Sequence, residues 1–267
     1  MEPLMFRAVS LLLVVSTLTP SWAADLPVKI PPSRMIYSWT GFYAGLSGGY
    51  NDIRTIPTTT FTDPNGVIGS VIDAGILLLP KPQNGFGFIG GGQIGYNFQT
   101  GIWLVGVESD LSVTAAKSSE TMTGIASSFA PIIATTLTQR LNVLGTTRAR
   151  FGVVSNNVML YGTGGLAYGH VEDSLFIRNT DDLTQNFSSA RSGMQVGWTA
   201  GAGVEVGMDQ WSAKFEYLYY DLGNRTSVAL PSDSVGLPGS FATLDQSTRG
   251  QLLRVGLNYR FTSGEVR

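Results

Sequence analysis

A chain of 267 residues with only 13% charged side chains and 33 glycines does not have the composition of a soluble domain, where charge is about 25%. Its net charge of −2 argues against a nucleic-acid partner. The absence of cysteine excludes disulfides, thiolate metal sites and cysteine nucleophiles.

Near the N-terminus, Arg7 precedes an apolar stretch over 8–18, and Ser21-Trp22-Ala23 fits a small-x-small cleavage pattern, so 1–23 reads as a secretory signal peptide. Beyond it there is no apolar run of about eighteen residues, the length a helical span needs. Residues 24–38 contain Pro27, Pro31 and Pro32 and read as an extended periplasmic lead-in. From Trp39 the side-chain pattern alternates with period two, as in strands.

Eight segments carry this alternation: 40–51, 86–99, 102–111, 140–155, 158–170, 193–208, 211–222 and 251–261. Short turns centred on Thr100-Gly101, Asn156-Asn157 and Asp209-Gln210 join three pairs; Gly and Asn suit the positive φ of tight hairpins. Long connections over 52–85, 112–139, 171–192 and 223–250 join the others. Long outside loops and short periplasmic turns are the plan of an outer-membrane barrel. The expected fold is therefore all-β, a transmembrane antiparallel up-and-down barrel of eight strands over 39–261. The apolar stretch 67–79 offers an extra hairpin, which makes ten strands the alternative.

A two-residue turn pairs residues whose numbers sum to an odd value, so each face changes parity across it. The charged face obeys this at the turns after strands two and six. Applied to Asn156-Asn157, the rule puts Tyr161, Thr163 and Ala167 on the side of Arg148 and Arg150, with Leu160, Leu166 and Tyr168 opposite. One face collects Glu108, Asp110, Arg140, Arg148, Arg150, Glu205, Lys214, Glu216, Arg254 and Arg260, while the other is aliphatic and aromatic. An Arg or Lys facing lipid costs about 2–4 kcal/mol near the midplane, so the charged face points inward. A soluble lipocalin-type barrel would have the opposite sense.

The turn at Asp209-Gln210 sets Glu205 opposite Lys214, which predicts contact between them; Glu108 and Asp110 are expected to meet Arg148 or Arg150. Trp103, Phe98, Trp211, Tyr259 and Phe261 mark one membrane interface, and Tyr50, Tyr168, Tyr217 and Tyr219 the other. Eight strands enclose a lumen that side chains fill, so a wide channel is not expected. Glycines such as Gly90-Gly91-Gly92 permit close backbone approach.

The sequence offers little for catalysis, and no enzyme activity or cofactor is expected. His170, the single histidine, reads as a solvated rim residue, and one histidine without cysteine builds no ordinary zinc site. Asp173, Asp181 and Asp182, in the third long connection, read as solvated acids.

Several motifs carry a resemblance. ADLP over 24–27, WTGFYAG over 39–45, GGGQIGYNFQ over 90–99, YGTGGLAYG over 161–169 and LLRVGLNYRF over 252–261 resemble the outer-membrane immunogenic proteins of alphaproteobacteria. That family includes major surface antigens of Brucella, the RopB proteins of rhizobia and hemin-binding proteins of Bartonella. The resemblance implies an eight-stranded porin-family, OmpA-like barrel in the outer membrane that supports the envelope and is exposed at the surface. A narrow porin or a hemin-binding receptor, with His170 as the hemin candidate, is the alternative it implies. Implied partners are outer-membrane lipid and lipopolysaccharide, the barrel-assembly machinery, and host or environmental ligands at the loops. Leu257, Tyr259 and Phe261 resemble the signal that machinery reads, although here a tail over 262–267 follows the final Phe.

Overall fold

The computed structural model describes residues 37–64, 66–124, 133–179, 187–231 and 239–261. The signal peptide, most of the lead-in, the 262–267 tail, Asp181 and Asp182 lie outside the described residues. Eight strands form the wall: β1 Gly41–Thr62, β2 Gln83–Thr100, β3 Trp103–Thr123, β4 Ile133–Ser155, β5 Val158–Asn179, β6 Phe187–Met208, β7 Trp211–Pro231 and β8 Phe241–Phe261. Each pairs antiparallel with the next, and β8 closes on β1 from Phe42↔Phe261 to Thr62↔Phe241.

The turns follow from local chemistry. Ser155 pairs with Val158 around Asn156, whose φ is 55°, and Met208 with Trp211 around Asp209, whose φ is 54°. The first turn is Gly101-Ile102, one residue later than the sequence suggested, because Gly101 takes the positive φ and Thr100 still pairs with Trp103. Face parity survives that shift. Tyr161, Thr163 and Ala167 are buried, and Leu160 and Leu166 are exposed.

The decisive observation is the sense of the faces. Arg148, Lys214 and Arg254 are 2–3% exposed, whereas Trp198 is 52% and Phe215 48% exposed. An outward apolar belt runs from Phe42 to Tyr50 on β1, from Trp103 to Val113 on β3 and from Phe261 to Leu253 on β8. That is about nine to eleven residues per strand, the span a tilted membrane strand needs. Aromatic pairs mark its edges: Trp103–Phe151 and Trp211–Tyr259 near the short turns, Tyr50–Phe86 and Trp198–Tyr219 farther up.

The strands do not stop where the belt stops. β1 has 22 residues, which at about 3.3 Å rise and a tilt near 40° gives a height of about 55 Å, roughly twice the apolar band. Most of what the sequence suggested as long loops is paired strand. Above the belt the alternation keeps its period but reverses its chemistry. On β1, Asp52, Arg54, Thr58 and Thr60 face out while Ile53 and Pro57 face in; on β8, Ser247 and Asp245 face out while Leu244 and Ala242 face in. Water now lies outside, so the outer half is built like a soluble barrel.

Three ladder irregularities adjust the upper strands, at Val113/Ala116, Leu141/Val143 and Asp221/Asn224. A bulge adds one residue and flips the parity beyond it. The one at Leu141/Val143 puts Arg140 on the outer wall, not on the inward face with Arg148 and Arg150 as alternation alone suggested. The β6–β7 ladder is also interrupted between Ser188 and Trp198, where Arg191 and Arg225 donate to the Thr226 and Ser192 carbonyls.

The stretch suggested as an extra hairpin is instead helix α1, Val67–Asp73, so the described residues hold eight strands and not ten. The Asp63 carboxylate accepts from the Ile68 and Gly69 amides and satisfies the first turn. Ile68 and Leu77 then pack into the outer mouth against Leu137, Leu175, Ile177, Ala242 and Leu244. Leu137→Ala leaves a cavity in this cluster and is expected to cost about 2–5 kcal/mol. Limited proteolysis of the purified barrel should show faster cutting above the belt, with the membrane half still protected.

Candidate functional site

Inward-facing side chains form a stack of layers. At the short-turn mouth Trp39 is buried with Leu104, Val154, Met159 and Tyr161, and its amide donates to Gln99 Oε1 at 2.9 Å. Tyr37 packs edge-on against it, with the Arg260 guanidinium 4.3 Å from the Tyr37 ring centre. Higher up, Ile53, Ile89, Leu141, Leu144, Val171, Leu218, Tyr220 and Leu252 make an apolar layer. Between the two lies a layer of ions.

Four carboxylates (Glu108, Asp110, Glu205 and Glu216) meet four cations (Arg148, Arg150, Lys214 and Arg254), so the layer has no formal net charge. Arg148 reaches three acids: Glu108 at 2.5 Å, Asp110 at 3.0 Å and Glu216 at 3.0 Å. Arg150 bridges Glu205 at 2.6 Å and Glu108 at 3.4 Å. Lys214 Nζ sits 2.8 Å from Glu108, and Arg254 Nη2 lies 2.7 Å from Glu216 and 3.0 Å from Asp110.

Neutral groups complete the layer. Tyr43 donates to Glu108, Tyr161 to Glu216, Thr146 to Asp110, and Ser212 and Asn258 to Glu205. Gln93 donates to the Asn258 carbonyl, which brings in β2. Every strand thus contributes a side chain. The two tyrosines cross the lumen because glycine faces them: a Cβ at Gly95 would meet the Tyr43 ring, and one at Gly203 the Tyr161 ring. Arg150 lies 4.0 Å over the Tyr161 ring centre, a cation–π contact that is strongest when desolvated.

Some pairings differ from expectation. Glu108 and Asp110 do meet Arg148. Glu205 and Lys214 are register partners, yet their ion pairs go elsewhere, to Arg150 and Glu108. In a lumen this narrow, long side chains reach the far wall, so adjacency on the sheet does not decide the partner. Arg260 is not in the layer; it sits at the mouth, where it donates to the Asp209 carbonyl. Asp173 is not solvated, because continued strand pairing turns it inward, where Gln139 Nε2 donates to it at 2.8 Å. His170 lies mid-strand on the outer wall of β5, with Nε2 4.0 Å from Glu172.

The Trp39 plug and the apolar layers were missed by sequence reasoning. The inward Leu104, Leu218 and Leu252 interrupt the polar face, and that interruption was their signal.

The profile of a family described as "Outer membrane protein beta-barrel domain" matches residues 10–261. The chain belongs to this outer-membrane β-barrel family. The 31 kDa outer-membrane immunogenic protein of Brucella melitensis is 34% identical over 255 residues, which cover 91% of this chain and 94% of that one. The 25 kDa outer-membrane immunogenic protein of Brucella abortus is 29% identical over 236 residues, covering 88% and 84%. A 22 kDa outer membrane protein of Rhizobium leguminosarum is 32% identical over 202 residues, covering 74% and 69%. This outer-membrane barrel is therefore located in the cell outer membrane.

Removing one partner of a buried ion pair costs about 3–5 kcal/mol, because the opposite charge is stranded. Arg148→Ala removes one partner from each of three carboxylates and leaves the buried layer with one uncompensated negative charge, so its urea-unfolding midpoint in detergent should fall well below that of wild type. Arg260→Ala, at the mouth, should change the midpoint little.

Proposed function

We propose that this barrel is a closed structural element of the outer membrane that supports the envelope and holds a rigid, hydroxyl-covered rim out from the cell. The observation that carries this reading is the ionic layer locked between two apolar layers. An ion crossing the lumen would have to break several desolvated ion pairs at once and then pass side chains that offer it no coordination. The outer apolar cluster beneath α1 adds a second closure. Relatives named as immunogenic outer-membrane proteins support a surface-exposed rim, since the rim is the part an antibody meets. Leu257, Tyr259 and Phe261 alternate along the outward face of the last strand, a stripe that suits recognition by the barrel-assembly machinery.

Planar-bilayer recording tests the closure. Purified wild-type protein, inserted and verified as folded by heat-dependent gel mobility, should give no reproducible unitary conductance. Stable channels of uniform size would overturn the reading.

A further inference from the structure

Above the apolar belt, one rung of the sheet runs Lys117↔Arg140↔Glu172↔Ser192 across β3, β4, β5 and β6. All four side chains face the outer wall. Like charges directly opposed on neighbouring strands destabilise a sheet, yet Lys117 opposes Arg140. Among the described residues no carboxylate lies within 4.0 Å of either cation. Glu172, the acid on the rung, has His170 Nε2 at 4.0 Å on its own strand. The rung borders a groove of about 510 Å³, whose walls include the hydroxyl-bearing Thr138, Ser174 and Ser192, together with Arg191 and its register partner Asp173.

The groove's position narrows what can fill it. Lys117 also pairs with Phe86 on β2. Phe86, Val113 and Met194 are 67%, 69% and 58% exposed; Phe86 lies level with Lys117, and Val113 and Met194 just below the rung. The cations thus sit at the headgroup level of the leaflet on the long-loop side, which in an outer-membrane barrel is the outer leaflet. A molecule that fits has fatty chains along the belt, a phosphate at the rung and sugar hydroxyls for the Thr and Ser walls.

We propose that the Lys117–Arg140 rung is a binding site for the phosphorylated sugar headgroup of an outer-leaflet glycolipid of the lipid A type. A phosphate between the two cations converts their repulsion into charge-assisted hydrogen bonds. Acyl chains lie over Phe86, Val113 and Met194.

The test titrates the full-length barrel in detergent with bisphosphorylated lipid A and with dephosphorylated lipid A, counting bound copies by native mass spectrometry. Wild type should prefer the phosphorylated lipid by about tenfold or more. The double variant Lys117→Ala/Arg140→Ala should lose that preference, and Glu172→Gln should keep or increase it. Heat-dependent gel mobility reports whether the double variant folds; if it does not, single Lys117→Gln and Arg140→Gln variants should each show a reduced preference. Equal binding of the two lipids by wild type, or an unchanged preference in the folded variants, would overturn the proposal. Displacement of lipid A by inorganic pyrophosphate at equal concentration would also overturn it, by assigning the cations to free anions.

Discussion

The ionic layer is the constraint on which the rest of this barrel depends. Ions withdrawn from water cost more than their Coulomb attraction returns unless each is closely matched. Here the match is made by side chains from all eight strands, so no strand can slip by one residue without moving its contribution from the lumen to the lipid face. Register, closure and membrane orientation are therefore specified together. The Trp39 cluster below and the Leu218–Leu252 layer above keep water away and raise the cost of any mismatch.

The second constraint is the change of solvent along each strand. A strand about twice as tall as the apolar band has to satisfy lipid at one end and water at the other. It does so by exchanging the chemistry of its two faces near Tyr50 on β1 and Leu253 on β8. The β3–β4, β4–β5 and β7–β8 ladders absorb the change with local irregularities; the one beside Leu141 carries Arg140 to the outside.

Much of this could be read from the sequence, and the limits have physical causes. The membrane half was legible because lipid enforces a strict sign: Phe, Val and Trp out, Glu, Lys and Arg in. Parity across Asn156-Asn157 and Asp209-Gln210 then oriented β5, β6 and β7. The outer half was not legible because Thr and Ser serve equally as outward strand residues and as loop residues, so Thr58, Thr60, Ser119 and Thr121 read as loop. Helix α1 was hidden by its small length and its neighbouring prolines. Within the lumen, Glu108 and Arg148 were predictable as partners. The link from Lys214 to Glu108 was not, because it crosses the barrel and no sheet neighbour predicts it.

The rigid upper wall has a consequence for recognition from outside. Outward positions alternate with buried ones, so the surface seen from the medium is a mosaic in which Thr60, Thr243, Ser119 and Thr136 come from separate strands. A peptide copied from one strand would display Ile53, Leu137 or Leu244 beside the hydroxyls, residues the folded protein hides. A partner selected against such a peptide would be fitted to the wrong landscape, while one selected against the intact barrel would bind an epitope that no continuous stretch of the chain contains.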